Sequence, residues 1–225
     1  HISLRGGSGP AYASLVIRSA ETGQAVRDLR AKLSYISVYG FGWAPDGRSF
    51  LAQGTDFKGR TGAFEVDAQT GDASPLRLDQ PGESPLSYPT WSPDGKSLYF
   101  LRGISDGKEF ALVQRDPATG KEREVLRRIW LNGVYCSPDG QYVATRSVDR
   151  STNSRMLLLI PVAGGEPREL MREASEAAPE ELKNRDKGQW FAVARGAPDS
   201  GSFLAWKIRP AAEKPSSEVW RIPVG

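Results

Sequence analysis

A chain of 225 residues is long enough to bury a substantial core, and its formal charge of +3, from 30 Lys and Arg against 27 Asp and Glu, is small for that length. One histidine, His1, and one cysteine, Cys136, exclude an internal Ser-His-Asp triad, a Cys-His dyad, an internal disulfide and a Cys/His zinc site. There is no run of ~18 apolar residues, and basic residues alternate with acidic ones instead of clustering, which argues against membrane insertion and nucleic-acid binding.

In chain order, His1 has no Met before it and reads as the scar of a cut tag, and residues 1–34 carry one glycine turn at Gly23, a partial unit. Residues 35–82 show the first full pattern. Ala44-Pro45-Asp46-Gly47 follows an aromatic step at Trp43 and precedes a strand-like run at 49–52; a run at 62–67, a turn at Gly71 and a short run at 75–78 complete it. Residues 83–130 repeat the pattern, with Ser92-Pro93-Asp94-Gly95, runs at 97–101 and 110–115, a turn at Gly120 and a run at 124–126. Residues 131–172 do so again, with Ser137-Pro138-Asp139-Gly140, runs at 141–145 and 156–162, Gly164 and a run at 168–170. An insertion at 173–187 follows, where 173–176 and 180–183 read as short helices around Pro179. Residues 188–225 resume with a damaged turn, Ala197-Pro198-Asp199-Ser200-Gly201, and runs at 202–206 and 217–223.

The turn chemistry explains the repeat. Proline presets φ near −65° at the second turn position, aspartate tolerates the third, and glycine takes the left-handed conformation that returns the chain as a hairpin. Successive prolines lie 48 and 45 residues apart, then 60 across the insertion; the glycines Gly23, Gly71, Gly120 and Gly164 lie 48, 49 and 44 apart. Four short strands at a period in the forties predict an all-β fold, a β-propeller of four-stranded antiparallel blades. About five blades are expected, the first and last incomplete with three strands each. The first piece lacks an innermost strand and the last an outermost one, so the two do not complement each other, and the chain reads as a piece of a larger ring.

The segments WSPDGKSLYF at 91–100 and YCSPDGQYVA at 135–144 resemble the WD40-like (PD40) repeat of TolB-type propellers. The same repeat occurs in propellers attached to prolyl-oligopeptidase-like peptidases and to bacterial regulators and kinases. The resemblance implies a non-catalytic scaffold for protein interaction or sensing within a larger bacterial protein, in an extracytoplasmic, periplasmic setting more than a cytoplasmic one. Its alternative is the gating propeller of a serine peptidase whose hydrolase domain lies outside this chain.

No cofactor, metal or catalytic residue is expected. The repeated Asp46, Asp94, Asp139 and Asp199 occupy equivalent turns of different blades, where stabilising the turn accounts for them, and Trp43, Trp91 and Tyr135 at the preceding step fit packing between blades. The stretch 149–153 alternates oxygen-bearing side chains but lacks the glycine and distal glutamate of a calcium loop. Two sets of loops should share one face around the central channel. The first, joining a fourth strand to the next first strand, holds Tyr39, Tyr88, Trp130 and Asn132. The second, joining second and third strands, holds Arg60, Asp106, Arg150 and Arg155, with Asp56, Lys58, Lys108 and Asp149 beside them. Aromatics with Arg and Asp on a rigid platform suit a protein or peptide partner.

Overall fold

The computed structural model describes residues 2–5, 13–104, 107–174, 190–196, 202–209 and 216–223. Each Pro-Asp-Gly segment closes a hairpin. The amides of Gly47, Gly95 and Gly140 donate to the carbonyls of Ala44, Ser92 and Ser137 at 2.9–3.0 Å, with φ of 67–71° at each glycine. Asp94 Oδ1 accepts from the Ser92 hydroxyl (2.6 Å) and the Lys96 amide (3.1 Å), and Asp139 Oδ1 does the same for Ser137 (2.5 Å) and Gln141 (3.0 Å). Asp46, Asp94 and Asp139 are turn residues.

These hairpins build five antiparallel sheets among the described residues. The first contains β1 (Ile2–Arg5), β2 (Ala13–Arg18) and β3 (Ala25–Ala31). The second contains β4 (Tyr35–Trp43), β5 (Ser49–Thr55), β6 (Thr61–Asp67) and β7 (Ala73–Leu78). The third contains β8 (Ser87–Trp91), β9 (Leu98–Ile104), β10 (Glu109–Arg115) and β11 (Glu122–Arg128). The fourth contains β12 (Leu131–Cys136), β13 (Tyr142–Asp149), β14 (Ser154–Pro161) and β15 (Arg168–Ala174), and the fifth β16 (Trp190–Gly196), β17 (Ser202–Arg209) and β18 (Ser216–Pro223). Each sheet is a meander in chain order. The first and last have three strands, as the repeat predicts, so the fold is an all-β propeller of blades. The fourth blade departs from the sequence reading at its outer edge. Glu173 and Ala174, expected in a helical insertion, extend β15 instead, because they pair with Arg155 and Ser154 across the ladder. The rest of the insertion, the damaged turn at 197–201 and Gly225 lie outside the described residues.

Packing between blades holds the fold together. Successive side chains of a strand point to opposite faces, and here both faces are covered. In β5, Phe50 joins Leu15, Leu29 and Leu33 towards the first blade, while its neighbour Leu51 joins Leu98 and Phe100 towards the third. In β9, Leu98 and Phe100 face back, and Tyr99 and Leu101 face on to Val143, Met156 and Leu158 of the fourth blade. In β13, Ala144 packs with Leu157, Leu159, Phe203 and Ile222. Second strands therefore read as near-continuous apolar runs. Burying one such Leu or Phe side chain contributes roughly 1.5–3 kcal/mol.

A buried ion network reinforces the joint between the second and third blades. The Arg77 guanidinium, 5% exposed, pairs with Asp79 (3.1 Å), Glu83 (2.5 Å) and Glu122 (3.4 Å) and lies 5.6 Å from the centre of the Phe100 ring. Arg102 and Arg115 close the network on Glu122 at 3.0 and 3.2 Å.

Candidate functional site

The innermost strands stand side by side from blade to blade: β4 lies against β8, β8 against β12, and β12 against β16. Each of the first three is bulged. In β4 the pairing jumps from Ile36–Gly54 to Phe41–Ala52, in β8 from Ser87–Leu101 to Thr90–Tyr99, and in β12 from Asn132–Arg146 to Tyr135–Ala144. The residue five positions before each turn proline is left-handed: Gly40 (φ 81°), Tyr88 (φ 54°) and Gly133 (φ 77°). A left-handed first residue marks a bulge that ordinarily demands glycine. Tyr88 fills that slot in the middle blade, which is uncommon for a bulky side chain.

The bulges bring three side chains from three blades together. The Tyr39 and Tyr88 rings lie 5.9 Å apart at 54°, and Asn132 Nδ2 donates to the Tyr88 hydroxyl at 2.8 Å. Arg146 donates in turn to the Asn132 side-chain oxygen. Tyr39, Tyr88 and Asn132 were expected in loops; they stand within β4, β8 and β12, because the glycines and polar residues that read as loop signals form bulges that leave the strand running. Beneath them runs a cleft of about 630 Å³, lined by Tyr39, Trp43, Leu51, Tyr88, Trp91 and Tyr135 with the prolines of the three turns at its far end. Trp43 and Phe41 pack edge-on against Phe50, so these aromatics serve both the core and the cleft.

The remaining expected site residues divide. Trp130 is 8% exposed and packs with Val148 and Phe110, so its ring belongs to the core and not to a partner-facing surface. Arg60 stands at the exposed β5–β6 hairpin, its guanidinium on Asp56 at 2.8 Å. Desolvation, the largest single influence, pushes the Asp56 carboxyl up, but the Arg60 and Lys58 hydrogen bonds together outweigh it and hold the group below its usual range. Arg150 is exposed on the β13–β14 turn. Arg155 is buried in β14; desolvation, then the Arg146 charge, lowers its pKa, and Glu173 opposes that shift. Asp106 lies outside the described residues. In the stretch 149–153, Asp149 accepts from the Ser151 hydroxyl and from Arg172, which hold its carboxyl well below the usual range and fill the place a cation would take. Among the described residues no group of three or more His, Cys, Asp or Glu is arranged to hold a metal, and no helix is long and apolar enough to cross a membrane. Sequence reading missed Arg146 and the cleft role of Trp43, Trp91 and Tyr135; for the two tryptophans the signal was present in their shared offset of two residues before Pro45 and Pro93.

Successive antiparallel meanders packed face to face, with the first strands of the second to fifth sheets side by side, define a β-propeller. Solved propeller structures share this fold. The chain superposes on TolB from Acinetobacter baumannii with a TM-score of 0.68 at 18% identity, covering 100% of this chain and 51% of that one. Oligogalacturonate lyase from Vibrio parahaemolyticus gives 0.63 at 14% identity, covering 94% and 56%. Prolyl oligopeptidase B from Galerina marginata gives 0.58 at 15% identity, covering 98% and 32%. The chain thus spans about half the length of the TolB structure, and the likeness is one of fold. No protein-family profile matches the chain, and no curated protein matches it.

Proposed function

We propose that this chain is a non-catalytic, TolB-like propeller that serves as an interaction or sensing scaffold within a larger bacterial protein. Its recognition face is where Tyr39, Tyr88 and Asn132 meet, with the exposed hairpin arginines Arg60 and Arg150 as further contact residues of the proposal. The observation that carries this reading is the Tyr88 bulge: a strained backbone position supports a side chain that joins three blades. The partner is a protein or peptide, and nucleic acid does not fit a surface whose basic residues are interleaved with acidic ones. The resemblance to TolB supports an extracytoplasmic, periplasmic setting over a cytoplasmic one. Peptides selected by display on the immobilised chain test it. Tyr39→Ala and Asn132→Ala should each weaken the selected peptides about tenfold or more while melting normally. Wild-type affinity in both variants would overturn the assignment of the face.

A second reading, the gating propeller of a prolyl-oligopeptidase-like serine peptidase, draws on the prolyl oligopeptidase B superposition over 98% of this chain. A parent gene that continues into an α/β-hydrolase domain with its own nucleophile elbow and histidine would favour it over the scaffold.

A further inference from the structure

Acidic and basic residues alternate along the chain, but at one end of the blades they sort into paired and unpaired groups. The Pro-Asp-Gly turns of successive blades touch: a Cβ at Gly95 would lie 3.7 Å from Pro45, and one at Gly140 3.7 Å from Pro93. The β5–β6, β9–β10 and β13–β14 hairpins therefore share the opposite end of the second to fourth blades. The described carboxylates at that end are committed. Asp56 pairs with Arg60 at 2.8 Å, Asp149 with Arg172 at 2.9 Å and Glu109 with Arg127 at 3.7 Å. Asp79 and Glu83 hold Arg77, and Glu173 stands opposite Arg155. The exposed cations Lys58, Lys108, Arg128 and Arg150 pair with no carboxylate among the described residues.

Three of these cations surround one buried aromatic. Phe110, two residues beyond Lys108, pairs across the sheet with Arg128, and Val148 lies two residues before Arg150; both Phe110 and Val148 pack with Trp130. Ile129, next to Trp130, is exposed. In the second blade the Ser34 hydroxyl donates to the carbonyls of Thr55 and Asp56, which fixes Tyr35 beside the hairpin that carries Phe57 and Lys58. Tyr35 and Phe57 are 59% and 49% exposed. Unpaired cations on one face sum to a positive potential that steers an oppositely charged partner, although the whole chain carries only +3. Exposed apolar side chains among them supply the desolvated anchors that a purely ionic contact lacks.

We propose that the hairpin end of the second to fourth blades docks an acidic peptide segment in which carboxylates alternate with large apolar side chains. The carboxylates meet Lys58, Lys108, Arg128 and Arg150, and the apolar side chains cover Tyr35, Phe57 and Ile129. A peptide suits this end better than nucleic acid does: its carboxylates meet the cations singly, whereas a continuous phosphate backbone would also run over Asp56, Glu109 and Asp149. The inference names the chemistry of the partner in the scaffold reading and rests on that reading.

Two fluorescein-labelled peptides of equal shape test it, one alternating Glu with Phe and Leu, the other carrying Gln at each Glu. Anisotropy with the wild-type chain should show micromolar binding of the acidic peptide, about tenfold tighter than its Gln counterpart and weakened by added salt. The double variant Lys108→Glu/Arg150→Glu, at two exposed positions, should weaken the acidic peptide about tenfold with an unchanged melting temperature. Arg48→Glu, exposed at the turn end, should leave binding as it was. Equal binding of the two peptides, no binding of the acidic one below about a millimolar, or an equal loss in Arg48→Glu would each overturn the proposal. So would tighter binding of an oligothymidylate or of phosphatidylserine vesicles. Display on the immobilised chain separates this failure from that of the scaffold: selected peptides that depend on Tyr39 and Asn132 but carry no excess of acid would refute the acidic partner alone.

Discussion

The side-chain amide of Asn132 donates to the Tyr88 hydroxyl at 2.8 Å and so joins the innermost strands of two neighbouring blades. The same phenol ring meets Tyr39 of the blade before it. Tyr88 reaches both only because its backbone takes the left-handed conformation that glycine takes in the flanking blades at Gly40 and Gly133. That conformation costs a residue with a Cβ roughly 1–2 kcal/mol.

The cost can be isolated at position 88. In an ordinary strand alanine is more stabilising than glycine; at a left-handed position the order inverts. Tyr88→Gly should therefore be more stable than Tyr88→Ala by about 1 kcal/mol in urea denaturation. Alanine equal to or better than glycine would mean that the β8 bulge relaxes once the ring is gone.

Arg77 should be costly to remove. Arg77→Ala leaves Asp79, Glu83 and Glu122 facing one another beside the joint of two blades, and a loss of about 3–5 kcal/mol is expected. Acid should narrow the gap. Desolvation pushes Glu83 up, but its hydrogen bond and charge pairing with Arg77 prevail and hold its pKa below the usual 4.5. A lowered folded-state pKa contributes stability above the unfolded value, and this is lost as pH falls through the folded one. Wild type therefore loses that contribution on acidification and the variant has none to lose, so their urea midpoints should converge below about pH 4.5. A constant gap would place the stabilisation outside this network.

Alkali should act through Cys136. Burial, with a smaller contribution from Asp94, pushes its thiol from 9.0 up to about 12. The unfolded chain then releases the proton first, so stability is full below about pH 9 and falls as pH rises towards 12. Burial raises Tyr99 from 10.0 to about 12, which adds a loss of the same sign over the upper part of that range. Cys136→Ala should flatten the decline most clearly between about pH 9 and 10, where Tyr99 still contributes little. Parallel curves for wild type and variant would contradict this.

Core and surface should separate cleanly within single blades. Leu98→Ala empties a fully buried position between the second and third blades and should cost about 2–5 kcal/mol. Val26, 67% exposed on β3, should tolerate Ala within about 0.5 kcal/mol. Chemical denaturation of the two variants makes the comparison.

Much of the fold was legible because its signals are local. Proline, aspartate and glycine set each hairpin within four residues, and the recurrence of that unit at Pro45, Pro93 and Pro138 gave the blade period and the partial end blades. The site was legible only in part. Tyr39, Tyr88 and Asn132 were identified, but as loop residues, since a bulge and a loop share the same glycines and polar residues in sequence. Trp130 read as a surface aromatic because nothing local records Phe110 and Val148 closing over it from other strands. Nor does local sequence record that Arg146, mid-strand in β13, reaches Asn132 on the neighbouring strand.

The two-sided packing of the second strands bears on how such a ring can change. Phe50 completes one boundary and Leu51 the next, so every boundary is assembled from halves of two units. Removing a strand, or slipping β5 by one residue, would exchange the residues offered to both neighbours and leave two boundaries mismatched at once. Excising or duplicating a full stretch of forty-odd residues presents each flank with the same kind of half it had before. Lengthening or shortening of this molecule is therefore quantised: the tolerated step is one blade, cut at any point in the period, and smaller steps are confined to the loops.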